Sequence, residues 1–390
     1  MTTATPASPP PAGAGPAPAV PYFDWDTRYR GWTDDVLAVV REVAESDEFI
    51  LKSRVAELEA RVAERTGAAH AVAVASGTGA LSVILAALGV GPGDEVVTPA
   101  FSFISTASTV ALRGARPVFA DVDYDTACLD TAAAAAAVTA RTRAILPAYL
   151  FTGHPAMGEL ATLARERGVA LVEDSAVGLG SVVDGRPAGR HGTAGVYSFF
   201  PAKPVGGIGD AGMIVTDDPE LGREVRMLRN HGQSLTTRFL HHKVGFNSRM
   251  DEITAGFLLR RLPHLDDFLA TRRRLAEEYD ERLAPLAPDV LTPLPGYEGR
   301  AVYTYVVRAA RRDRLREHLA ADGIETVVYY PKPLHLQPAF AGLGHRPGDF
   351  PVAEKLAEEC VALPLHPGMP AGAIARVTDS IARFYGGAGR

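Results

Sequence analysis

The chain has 390 residues, 47% of them hydrophobic and 22% charged, with a formal net charge of −6. That apolar content can offset chain entropy in a large folded body, so wholesale disorder is excluded, and the negative balance offers no general attraction to nucleic acid. No apolar stretch reaches the roughly 18 uninterrupted residues of a membrane span, and Cys128 and Cys360 lie too far apart for a Cys-x-x-Cys pair, so both read as buried thiols.

Residues 1–20 are almost all Ala, Pro, Gly, Thr and Ser and predict a disordered tail. The tail lacks the basic start and apolar run of a secretory leader, so a cytoplasmic protein is expected. From residue 33 onward, apolar runs of strand length alternate with helical segments, the signature of an α/β fold with a mostly parallel sheet. AHAVAVAS (69–76) reads as a strand leading into TGALSVILAAL, where Leu81, Ile84, Leu85 and Leu88 recur at helical spacing. GVGPGDEVVTPAF supplies a turn and then a strand from Glu95 to Thr98, and GARPVFADVD and RAILPAYL supply further strands. ELATLARERG reads as a helix closing at Gly168, and VALVED as a strand with Asp174 at its carboxyl end, where open α/β sheets build ligand sites.

The pattern changes near residue 262. RLPHLDDFLATRRRLAEEYDERLAPL predicts a long helix with Phe268, Leu275, Tyr279 and Leu283 on one stripe, and Arg272, Arg273 and Arg274 on a solvated face. This helix is expected to join a large domain, residues 33–262, to a small α+β domain, residues 263–390. In the latter AVYTYVVRA and IETVVYY read as strands, RDRLREHLAAD and EKLAEECVAL as helices.

The segment YSFFPAKPVGGIGDAGMIVTDD (197–218) sets Lys203 between an apolar strand and a glycine-rich turn. A loop lysine alone is ordinary surface, but a lysine whose surroundings lower its pKa forms imines, and pyridoxal 5′-phosphate chemistry needs one opposite an acid that keeps the cofactor's pyridine nitrogen protonated. Asp174 is the natural acid, because a carboxylate ending an apolar strand is costly to bury without a cationic partner. Ser76, Gly77, Thr78 and Gly79 stand where a strand turns into a helix, so free N–H groups and a hydroxyl can hold a phosphate; the same residues also make a good helix cap. Phe103, in TPAFSFISTAS, can cover a planar ring or fill a core. Gly207, Gly209 and Gly212 match G-x-G-x-x-G, but they run into the strand-like GMIVTDD, whereas a dinucleotide site needs them to open a helix. His231, His241, His242, His335 and His366 lack the spacing of a zinc motif, so no metal is expected.

From residue 33 to the end, VAELEARVAERTGAAHAVAVASGTGAL, GDEVVTPAFSFISTA, VEDSA, SFFPAK followed by GDAG, LRNHGQ, VGFNSRMDEITAG, YYPKPLH and LPLHPGM occur in order. In these motifs the chain resembles the nucleotide-sugar aminotransferases of the DegT/DnrJ/StrS family, PLP-dependent enzymes of fold type I. The resemblance implies a large domain with a mostly parallel seven-stranded sheet and a small α+β C-terminal domain. It implies that Lys203 joins pyridoxal phosphate as an imine and moves protons, Asp174 holds the pyridinium, and Phe103 stacks on the ring. Gly77, Thr78, Gly79 and Ser198 would hold the phosphate. Asn247 would reach the phosphate in a neighbour's active site, which requires a homodimer. Tyr330, His335 and His231 would line the substrate cleft.

The implied reaction is ping-pong, with glutamate or glutamine as donor and a 4-keto or 3-keto 6-deoxyhexose on a nucleoside diphosphate as acceptor. SFFPAKPVGG leans toward the 4-amino branch. Relatives that are dehydrases carry histidine in place of Lys203, which speaks against that branch. One departure stands out: the family has glutamine three residues after the aspartate, bonded to the ring hydroxyl oxygen, and here that position is Val177. A cyclitol or other keto acceptor remains an alternative, as does a catalytically silent regulatory relative, which Val177 alone supports.

Overall fold

The computed structural model describes residues 20–24, 29–293, 297 and 299–387. Of the expected tail, residues 1–19 lie outside the described residues. Val20 does not behave as tail: it is 1% exposed and bridges Ile324, its N–H donating to Gly323 O and its carbonyl accepting from Glu325 N–H, both at 3.0 Å.

The strands in chain order are β1 (His70–Val74), β2 (Glu95–Pro99), β3 (Arg116–Ala120), β4 (Thr142–Ile145), β5 (Ala170–Asp174), β6 (Val182–Val183), β7 (Arg186–Pro187), β8 (Ala194–Ser198), β9 (Gly212–Thr216), β10 (Val290–Leu291), β11 (Tyr305–Ala309) and β12 (Cys360–Leu363). Seven of them form one sheet in the order β1-β9-β8-β5-β4-β2-β3. β9 runs antiparallel to both neighbours, and the other pairings are parallel, as expected. The apolar runs of these strands are buried on both faces, which is why they are continuous rather than alternating. Val72, Val74, Val196 and Ile214 pack on one face against Leu81 and Ile84 of the helix Gly77–Ala87. Ala73, Tyr197, Met213 and Val215 pack on the other against Leu58, Val62 and Leu258. The helix Met157–Arg167 closes at Gly168 with φ 65°, a left-handed residue that glycine adopts without strain.

β10, β11 and β12 form a separate antiparallel sheet. Its third strand corrects the reading of EKLAEECVAL as helix throughout. The helix Pro351–Glu359 stops there, and Cys360 turns extended (φ −67°, ψ 134°) because the fully buried Cys-Val-Ala-Leu run finds a partner in β11. IETVVYY, expected to be a strand, contributes only single bridges at Ile324 and Val327 and then turns its tyrosines toward the cavity described below.

The helix Leu265–Leu283 packs the two sheets' surroundings together along Leu265, Leu269, Arg272, Ala276, Tyr279 and Leu283, all buried. The expected stripe is therefore right at Tyr279 and Leu283 but shifted elsewhere, with Phe268 and Leu275 on its flank. Arg272 is 1% exposed, not solvated: its Nη1 donates to Tyr303 O at 2.8 Å and Leu365 O at 3.1 Å. Arg274 is exposed, as the helical spread of the three arginines requires. Cys128 and Cys360 are free and buried, and burial pushes both thiols up to about 12. Among the described residues no helix is long and apolar enough to cross a membrane, and no cluster of three His, Cys, Asp or Glu could hold a metal ion.

Candidate active site

β1, β2, β4, β5 and β8 point the same way, so their carboxyl ends share one edge of the sheet. There the chain leaves the sheet in five successive turns, and these enclose a cavity of about 430 Å³ closed from the far side by Tyr303, Thr304, Tyr329 and Tyr330. A site at the carboxyl ends of parallel strands follows from the handedness of their crossovers, which leaves a crevice between diverging loops.

Asp174 ends β5 and is 8% exposed. Its Oδ2 accepts from Thr106 Oγ1 at 3.1 Å and its Oδ1 from Ala176 N–H at 3.4 Å. Burial raises its carboxyl above the ordinary range, while Thr106 and the charge of Lys203 act the other way. Lys203 lies on the loop after β8, with Nζ 4.2 Å from the centroid of the Tyr303 ring. Burial lowers its ammonium to about 8, against the opposing pull of Asp174. Two groups of opposite charge are thus both driven toward neutrality, because the cavity wall removes water faster than the pair compensates. A cation seated against Asp174 would reverse the balance there, and the protonated nitrogen of a pyridine ring is such a cation.

Another part of the cavity wall is built from hydroxyls. Ser76 caps the helix Gly77–Ala87, its Oγ accepting from Gly79 N–H at 2.9 Å. Thr78 Oγ1 and Ser105 Oγ stand 2.7 Å apart, and Ser198 Oγ accepts from Phe200 N–H at 3.3 Å; all three side chains line the cavity. A Cβ on Gly77 would approach Ser198 Cβ to 3.1 Å, so glycine is what lets the helix terminus reach this depth. A helix N-terminus with three hydroxyls is a fitting donor set for a phosphate. Gly79 stands behind this row, its N–H taken by Ser76 and its α-carbon facing Ser248. The residues present therefore fit the phosphate and the ring nitrogen of pyridoxal phosphate, and Phe103, 53% exposed, lines the same cavity.

Of the residues expected at the site, Gly77, Thr78, Phe103, Asp174, Ser198, Lys203 and Tyr330 line the cavity, and so does Val177. His335 does not: the 3-10 turn Leu334–Leu336 buries its ring against Phe350 at 4.7 Å, with Nε2 3.0 Å from Glu354 Oε1. Its expected place on the substrate cleft is corrected to a core position. His231 and Asn247 are exposed on neighbouring segments joined by the Asn230–Asn247 bridge, and neither lines the cavity of its own chain. Sequence reading missed Tyr149, Tyr303, Thr304, Ser105, Thr106 and Asp210, of which all but Thr106 line the cavity. Tyr149 had a signal, an aromatic just past a strand end. Tyr303 and Thr304 had none, since they look like the start of the strand that follows them.

The model of the DegT/DnrJ/EryC1/StrS aminotransferase family matches residues 32–382. The chain is 41% identical over 368 residues to a pleiotropic regulatory protein of Geobacillus stearothermophilus, covering 94% of this chain and 98% of the relative. It is 39% identical over 366 residues to dTDP-3-amino-3,4,6-trideoxy-alpha-D-glucose transaminase of Streptomyces venezuelae, covering 93% and 96%. Among solved structures it resembles S. venezuelae DesV in complex with ketimine intermediate, with TM-score 0.90, 37% identity and coverage of 94% and 99%.

Proposed function

The chain belongs to the DegT/DnrJ/EryC1/StrS aminotransferase family, and on that premise we propose that it transfers an amino group from glutamate or glutamine to a keto-deoxysugar carried on a nucleoside diphosphate. The observation that carries this reading is that Lys203 and the buried carboxyl of Asp174 line one cavity, where burial lowers the lysine's ammonium to about 8. Pyridoxal phosphate, when bound, supplies the carbonyl that exchanges the amino group and a ring that accepts electrons from the substrate carbon. Lys203 would hold it covalently, and its Nζ, once free, would carry the proton taken from the donor's α-carbon. Asp174 would keep the ring nitrogen protonated. Ser198, Thr78 and the N-terminus of the helix Gly77–Ala87 would hold the phosphate, and Phe103 would cover the ring.

The cavity wall is largely aromatic, with Phe103, Tyr149, Phe151, Phe200, Tyr329 and Tyr330, and no arginine lines it among the described residues. Amination at C3 is favoured by the S. venezuelae transaminase, which is named for a 3-amino sugar, over the 4-amino leaning of SFFPAKPVGG. A homodimer belongs to the same proposal: Asn247 ends a loop that exposes Phe239 (74%) and Val244 (98%), an apolar surface suited to a second copy. So do the division near residue 262, supported by the two separate sheets, and a cytoplasmic setting, supported by the two free thiols. A regulatory protein without turnover is the second reading, favoured by the Geobacillus relative and by Val177.

An absorption spectrum of the protein with added pyridoxal phosphate, before and after glutamate, separates the two. A visible band that glutamate removes in wild type, and that is missing in Lys203→Ala, is the expected result. A wild type with no band would overturn the cofactor assignment, and a band indifferent to glutamate and glutamine would favour the regulatory reading.

A further inference from the structure

The loop carrying Lys203 is closed on itself. Gly207 N–H donates to Phe199 O at 2.7 Å, Lys203 N–H to Phe200 O at 2.8 Å, and Phe199 N–H to Ala211 O at 2.8 Å. A further contact arrives from far away in the chain. The hydroxyl of Tyr29 lies 2.8 Å from Pro201 O and 2.8 Å from Gly207 O, the carbonyls on either side of Lys203. A phenol carries one proton, so it bridges the two acceptors by sharing that proton between them. The ring behind the hydroxyl is firmly mounted. It stacks on Phe257 (6.4 Å between centroids, 25° between planes) and lies 5.3 Å from the guanidinium of Arg261. Phe257 and Arg261 are buried on the helix Glu252–Arg261, and the same guanidinium lies 5.1 Å from Trp32 and 5.2 Å from Phe268.

We propose that Tyr29 is a positioning residue for Lys203: its hydroxyl pins both ends of the lysine loop to the aromatic box around Arg261 and so sets where the amine stands in the cavity. The proposal rests on Lys203 being the cofactor lysine. Without the hydroxyl, the span from Pro201 to Gly207 loses its outer tie, opens more often, and admits water to an amine whose low titration depends on burial.

The test uses the full chain and Tyr29→Phe, which keeps the ring and its stacking and removes only the hydroxyl. Hydrogen exchange of the chain without added cofactor should be about three- to tenfold faster at the amides of Lys203 and Gly207, the factor expected for one hydrogen bond, with β1 and β9 unchanged. On addition of pyridoxal phosphate, the pH at which the visible band reaches half its height should move upward in the variant, a readout that a merely structural role would not move. Unchanged loop exchange overturns the clamp, and so does acceleration spread evenly over β1 and β9, which marks general loss of stability. A wild type whose loop responds to Tyr29 but which gives no visible band overturns the reading of Lys203 and with it the purpose assigned to Tyr29.

Discussion

Burial drives Lys203 and Asp174 toward their neutral forms, and each tempers the other. The neutral amine is the nucleophile, so attachment of pyridoxal phosphate should rise with pH through about 8 rather than near the ordinary lysine value. Asp174→Asn removes the charge that favours the ammonium, and the midpoint of the attachment rate should then fall below that of wild type. A midpoint that does not fall would mean that the carboxyl does not favour the ammonium. Val177 invites the opposite kind of change. Val177→Gln supplies a donor at a cavity position that valine leaves apolar, and a bond to an anionic oxygen is worth about 1.5–3 kcal/mol. Equilibrium dialysis should show pyridoxal phosphate bound about tenfold tighter or more, and equal affinity would show that another donor already serves that oxygen. These positions were legible because each sits in a local pattern: a carboxylate after an apolar strand, a lysine before a glycine turn. His335 was misread for the same reason, since its motif is local but the direction of its ring is decided by Phe350 and Glu354.

Among the elements, the helix Leu265–Leu283 joins function to stability through Arg272. Its guanidinium holds the carbonyls of Leu365 and of Tyr303, whose ring meets the Lys203 amine. Arg272→Leu leaves buried carbonyls without that donor and should cost about 2–4 kcal/mol in urea unfolding, whereas Arg274→Ala should stay within about 0.5 kcal/mol. Equal losses for the two would return Arg272 to the solvated role that spacing suggested. The α/β alternation was readable because long apolar runs buried on both faces have no polar alternative. The C-terminal strands were not. Cys-Val-Ala-Leu continues a helical pattern until β11 offers it hydrogen bonds, and Ile-Glu-Thr-Val-Val has the residues of a strand but obtains only isolated bridges.

At the scale of the molecule, the shared-site proposal makes a quantitative demand. Lys203→Ala and Asn247→Ala should each be nearly inactive, yet equal amounts, unfolded and refolded together, should recover about one quarter of wild-type sites, because half of the dimers are mixed and each mixed dimer holds one intact site. No recovery, with mixed dimers demonstrated by mass, would place Asn247 at its own chain's site or at none. The order of motifs along the chain determined by itself the mostly parallel sheet and the place of Lys203 and Asp174 at its carboxyl edge, because strand periodicity, glycine turns and the helix start are properties of neighbouring residues. Only the tertiary structure decided that Tyr303 and Thr304 wall the cavity, that Arg272 is buried and that Tyr29 ties the lysine loop. Those contacts join residues far apart in the chain, and no local pattern encodes which distant carbonyl or ring will stand opposite a side chain once the sheets and helices have packed.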